Sequence, residues 1–180
     1  MTNPNAEYGY TRWGRDFLRL VEPTSITRPE PMLPRARSLA RTAVSAVVVE
    51  GRLIRGTVAR GGSASVAYLE FAPMERAVAD RLTSIVGPSP TAAALTDDAH
   101  RALACTPELT VVDCSCSART ARCIHVLTLL YETVRRVDEN PVVALQLTGF
   151  HDASDAPVES SAIPRWTPLS ALDPQRFYDA

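Results

Sequence analysis

The chain has no lysine; all 19 of its basic residues are arginine. Together with abundant Ala, Val and Pro, that bias fits a GC-rich coding sequence. It is not read as selection for phosphate binding, although the guanidinium fork does grip phosphate better than an ammonium. Long apolar runs are also missing. No stretch approaches the roughly 20 residues that a bilayer-spanning helix requires, so no membrane span is expected even though 46% of the residues are hydrophobic. The first ten residues have neither a basic start nor an apolar stretch, so no secretory leader is expected. A cytoplasmic location with reduced thiols follows from that. Enzyme signatures are missing too: there is no phosphate loop, no Gly-x-Ser-x-Gly and no His-Glu-x-x-His. The expectation is a non-enzymatic protein with no small-molecule substrate.

What is present is one domain's worth of chain, 180 residues, with a formal net charge of −1. That balance hides an asymmetry. Residues 1–62 carry 10 arginines against 5 acids, and residues 63–180 carry 9 against 15. A basic front points mildly to an anionic partner, while a pI near 6.3 is far from that of a dedicated nucleic-acid-binding domain.

Hydrophobic spacing gives the elements. Tyr10, Trp13, Phe17 and Leu20 recur at steps of 3, 4 and 3, which predicts an amphipathic helix ended by Pro23. Residues 22–34, with prolines at 23, 29, 31 and 34, are expected as a loop or extended arm. Three β-type runs at 42–50, 53–60 and 63–71, separated by Gly51-Arg52 and Gly61-Gly62, predict a three-stranded antiparallel meander with tight hairpins. A helix carrying Val78, Leu82 and Ile85 on one side follows, and a shorter one over 91–104. Residues 109–113 read as a strand. From Cys123 the chain turns helical to about Val137, with Val126, Leu127, Leu130, Val134 and Val137 as its buried stripe. Asn140-Pro141 breaks it, and 142–150 is an apolar segment returning to the core. The fold class expected is α+β: a three-stranded antiparallel sheet, several short helices and a metal-stitched strand-loop-helix.

The segment that carries chemistry runs from Cys114 to His125 and reads C-x-C, six residues, C-x-H. Three thiols and one imidazole within 12 residues supply the four soft or borderline ligands that tetrahedral zinc takes. A strand ending in a tight turn aims Cys114 and Cys116 at one point. The first turn of a helix presents Cys123 and His125 together, its N-terminal dipole favouring the thiolate of Cys123. A disulfide fits poorly, because C-x-C thiols bridge each other only with strain. One structural zinc is therefore expected on Cys114, Cys116, Cys123 and His125, and four protein ligands leave no open position for a catalytic water. Cys105 stands apart and is expected as a core or half-buried thiol, with His100 and His151 as surface or internally satisfied histidines.

C-x-C-x6-C-x-H followed directly by an apolar helix resembles the SWIM zinc finger. The likeness extends to Thr11-Arg12-Trp13-Gly14-Arg15, Arg35-Ala36-Arg37-Ser38, Asn140-Pro141 and Leu172-Asp173-Pro174-Gln175-Arg176-Phe177, which resemble the bacterial, mostly actinobacterial, SWIM family proteins. The chain departs from that pattern at Ile124, where a lysine is common, and at 117–122, which lacks the usual aromatic and proline. The resemblance implies zinc ligation by the same four residues. It also implies a DNA-binding or protein-interaction module, often beside a Swi/Snf-type helicase-like ATPase. The function expected is a nucleic-acid-associated accessory or adaptor, the alternative being a protein-interaction subunit that never touches nucleic acid. Arg119 and Arg122 in the loop between ligand pairs, with Arg35 and Arg37, are the candidate contact residues, and Arg28 and Arg41 extend that basic surface. The organisation expected is an N-terminal helix, sheet and helices over 1–104, the finger module over 105–150, a linker over 151–163 and a docking segment over 164–180. Trp13 and Phe17 are expected inside the core, not as a platform for bases.

Overall fold

The computed structural model describes residues 7–24, 30–103, 106–118 and 120–155. Cys105, the contact candidates Arg28 and Arg119, most of the expected linker and the 164–180 segment lie outside the described residues. An antiparallel sheet forms from β1 (Val44–Glu50), β2 (Leu53–Arg60), β3 (Ser63–Phe71) and β4 (Leu109–Cys114), in the order β1-β2-β3-β4. Both hairpins close as the glycines predict, Glu50 facing Leu53 and Arg60 facing Ser63. Gly61 and Gly62 both sit at positive φ, +57° and +81°, which side-chain-bearing residues resist. The sheet has four strands, not three. The strand that leads to the first cysteines pairs along β3, whose N–H and C=O groups would otherwise line an open edge.

Helices α1 (Arg12–Val21), α2 (Leu33–Thr42), α3 (Arg76–Val86), α4 (Asp97–Leu103), α5 (Ile124–Glu139), α6 (Val142–Leu147) and α7 (Phe150–Asp155) complete the described chain, with a single 3-10 turn at Ala92–Ala94. The arm expected over 22–34 is shorter than proposed: Leu33 and Pro34 open α2, where a proline's missing N–H costs nothing. The apolar segment after Pro141 is α6 and the start of α7, burying Leu145, Leu147 and Phe150. Helix α7 occupies the beginning of the expected linker. Ile85 is 53% exposed, so α3 buries Val78, Ala79 and Leu82 without it.

One face of the sheet packs on α5, and α1 and α2 pack on the same helix, with the Phe17 ring of α1 also reaching Phe71 of β3. Strand residues Ile54, Val58, Ala67, Leu69 and Phe71 are buried, as are Leu127, Leu129, Leu130, Tyr131, Val134 and Val137 of α5. One hydrophobic cluster takes in residues on both sides of residue 104. Trp13 and Phe17 are buried at 4% and 3% exposure, and Trp13 donates its Nε1–H to the Leu95 carbonyl at 3.2 Å.

The start of α1 is set by a buried carboxylate. Asp138, on the last turn of α5, accepts from the Gly9 N–H at 2.6 Å, the Thr11 N–H at 2.9 Å and the Thr11 hydroxyl at 2.7 Å. Thr11 in turn caps α1, accepting from the Gly14 N–H at 2.9 Å. A Cβ on Gly14 would stand 2.1 Å from Asp138 Oδ1, so only glycine admits this approach. A Gly-to-Ala change inside a helix ordinarily gains about 1 kcal/mol. Here Gly14→Ala is expected to cost about 2 kcal/mol by overpacking. Urea unfolding of a double-mutant cycle checks the cause. In an Asp138→Ala background the alanine should be neutral or stabilising, and an additive cycle would remove the clash as the explanation.

Candidate metal centre

Strand β4 carries the first ligand and α5 the last two. Cys114 ends β4 opposite Ala67 of β3. Cys116 follows in a bend just past the end of β4. Ser115 ties that bend to β3, its N–H donating to the Val66 carbonyl and its Oγ accepting from the Val66 N–H, both at 2.9 Å. Cys123 is the N-cap residue of α5, and His125 lies in its first turn.

The four side chains converge. Their ligand atoms all lie within 4.8 Å of one another, and Cys114 Sγ is 3.8 Å from His125 Nδ1. A tetrahedral ion with metal–sulfur bonds of about 2.3 Å and metal–nitrogen bonds of about 2.0–2.1 Å sets such atoms about 3.5–3.8 Å apart. The four residues could therefore hold a metal ion. Cys123 and His125 are buried, while Cys114 and Cys116 are half-buried. None of the three thiols is in a disulfide.

The electrostatics suit ligation. The Cys116 thiol is pulled below its ordinary range, first by the Ala118 N–H that donates to its sulfur. Burial pushes Cys114 up to about 12, against a counteracting hydrogen bond from the Cys116 backbone. That value describes a thiol with no cation beside it, and a coordinated dication deprotonates a thiol outright. His125 is lowered by burial and then by the charge of Arg60, which keeps the imidazole neutral and its ring nitrogen available to a metal.

The candidate contact residues divide. Arg122 points inward from the inter-ligand loop. Its Nε donates to Glu30 at 2.9 Å, and its two terminal nitrogens donate to the carbonyls of Leu20 and Val21 at 3.1 and 2.8 Å. It thereby binds the last turn of α1, where carbonyls lack helix partners. Arg37 pairs with Glu22 at 2.5 Å and lies over the Tyr131 ring, 5.4 Å from its centroid. Arg41 pairs with Glu7 at 2.7 Å. Arg35 has no carboxylate partner among the described residues and lines a shallow groove beside Cys116 and His125. Arg60, on the end of β2, lines the same groove and was not singled out from the sequence, where a strand-end arginine carries no pattern. His100 is satisfied by Asp16 at 2.7 Å.

No protein-family model, curated protein or solved structure matches this chain.

Because Arg122 grips carbonyls through a planar fork, Arg122→Lys should not restore what Arg122→Ala loses. The alanine is expected to cost about 1–2 kcal/mol, since the guanidinium is partly solvated and its ion pair is screened. Hydrogen exchange should show faster opening at the end of α1 in both variants. Protection equal to the native protein would place that helix end under other control.

Proposed function

We propose that this chain is a non-enzymatic SWIM-type protein built around one structural zinc ion, serving as a cytoplasmic accessory or adaptor in nucleic-acid transactions beside a helicase-like ATPase. The observation that carries the reading is the convergence of Cys114, Cys116, Cys123 and His125 from a strand end and a helix start. Three thiols and an imidazole are the donor set zinc takes in closed tetrahedral sites, and softer than the oxygen sets that calcium or magnesium require. When bound, the ion would cross-link strand to helix and supply folding energy, with no coordination position left for chemistry. The protein's own residues do the rest. Ser115 ties the cysteine segment to β3, Asp113 accepts from the Cys114 N–H, Ala118 and Cys116 direct their N–H groups at sulfur, and Arg122 ties the inter-ligand loop to α1.

A second reading, a protein-only interaction subunit, is favoured by the outer sheet face. Val66 and Val111 are 46% and 42% exposed there. No helix among the described residues is long and apolar enough to cross a membrane, which fits a partner reached from solution.

Metal analysis of reduced, unchelated protein should find one zinc per chain. Cys116→Ala should lose it and disorder the segment around 114–125, since structural zinc contributes on the order of 10 kcal/mol to local folding. Protein without zinc would end this reading. Mobility-shift titrations against duplex and single-stranded DNA across salt separate the two adaptor readings, because phosphate contacts impose a salt slope and a protein-only subunit shows none.

A further inference from the structure

The arginines of this protein are mostly committed. Arg12, Arg19, Arg37, Arg41, Arg52 and Arg122 have carboxylate partners, as do Arg101, Arg135 and Arg136. Arg35 and Arg60 have none among the described residues, and both are exposed on the walls of one open groove of about 540 Å³. The floor adds the hydroxyls of Ser65 and Ser117, which make no hydrogen bond to the described protein. Among the described residues, no carboxylate and no Trp, Tyr or Phe ring lines the groove. Cys116 and His125 form its inner wall, so the metal centre fixes its shape.

We infer that this groove seats the phosphate backbone of duplex nucleic acid, with Arg35 and Arg60 each neutralising one phosphate and the two serine hydroxyls donating to phosphate oxygens. The inference rests on the nucleic-acid reading above and gives it a surface. The lining favours a duplex over a single strand. Single-stranded binders stack bases on aromatic rings, which this groove lacks, whereas a duplex presents only its phosphates to such a wall. Three thiolates with a dication sum to a formal charge of −1, so the attraction comes from the two guanidiniums and not from the metal centre. Two phosphate contacts make a weak site, one that works alongside a partner's own grip on the same duplex.

The test is a fluorescence-anisotropy titration of zinc-loaded, full-length protein with a mixed-sequence duplex at several salt concentrations. Each phosphate contact contributes about −0.9 to the slope of log K against log salt. Arg35→Ala and Arg60→Ala are each expected to flatten the native slope by about 0.9, and the double variant by about twice that. Arg81→Ala, an exposed arginine on α3 outside the groove, should leave the slope unchanged. Zinc content is read on the same samples, since a structural role for the arginines would appear there. Variants that keep the native slope but lose zinc would overturn the inference and assign both arginines to balancing the thiolate charge. Native slope with native zinc overturns it equally, while leaving the nucleic-acid reading intact through other surfaces. A phosphoserine peptide that binds in preference to the duplex, with the same loss in both variants, would assign the groove to a protein ligand instead. Native protein that binds no duplex even at low salt sinks both the groove and the reading beneath it.

Discussion

A helix buried around most of its circumference fixes the position of whatever packs on it, and α5 is such a helix. From Ile124 to Val134 every residue is buried, with the sheet, α1 and α2 all packed on it. At the N-terminus, Cys123 and His125 join Cys114 and Cys116 across from the sheet. Near the C-terminus, Asp138 turns its carboxylate onto the N–H groups of Gly9 and Thr11. The Cys3His cluster and the carboxylate cap mark the two ends of one rod, and α1, α2, α6 and the sheet pack along it.

This arrangement explains why so many polar side chains sit in the interior without loss. Glu132, 3% exposed, is gripped by Arg135 at 2.7 Å and Arg136 at 2.8 Å. Half-buried Glu22 accepts from both Arg37 and the Tyr131 hydroxyl. Buried carboxylates are tolerated where donors converge on them. Each of these pairs also links α5 to itself or to its neighbours. The arginine-only composition serves this role, because a planar fork can meet a carboxylate and a backbone carbonyl together, as Arg122 does.

Much of the architecture was legible because it depends on local pattern. Alternation of β-branched residues between glycine pairs marked the hairpins, and the Val126-to-Val137 stripe marked α5. The four ligands were legible for the same reason: their spacing records the switch from strand to helix. Elements that depend on distant partners were not legible. Helix α2 hid behind the prolines at 29, 31 and 34, which read as an arm because proline at a helix start and proline in a loop look alike in one dimension. The fourth strand was recognised as a strand, but its pairing with β3 is a tertiary fact. Arg122 looked like an outward-facing loop charge because its acceptors, Leu20 and Val21, lie about a hundred residues earlier. Asp138 carried no signal of its own. The only trace was Thr11 three residues before Gly14, a cap and a close approach visible in hindsight as a pair.

The near-neutral charge of the chain and a basic groove on its surface are compatible once pairing is considered. Net charge sums every arginine and every acid, but a guanidinium locked to a carboxylate presents little field to a ligand, and screening removes most of what remains beyond about 8–10 Å. What a polyanion meets is the small set of cations left unpaired. Here two of them, Arg35 from the first turn of α2 and Arg60 from the end of β2, stand on different elements and line one groove. Folding α2 against α5 brings the first into place, and the β2–β3 hairpin brings the second. The Cys116–His125 wall between them depends on the ligand cluster. Under the inference drawn above, such a surface depends on the four-residue cluster, although neither arginine belongs to that cluster.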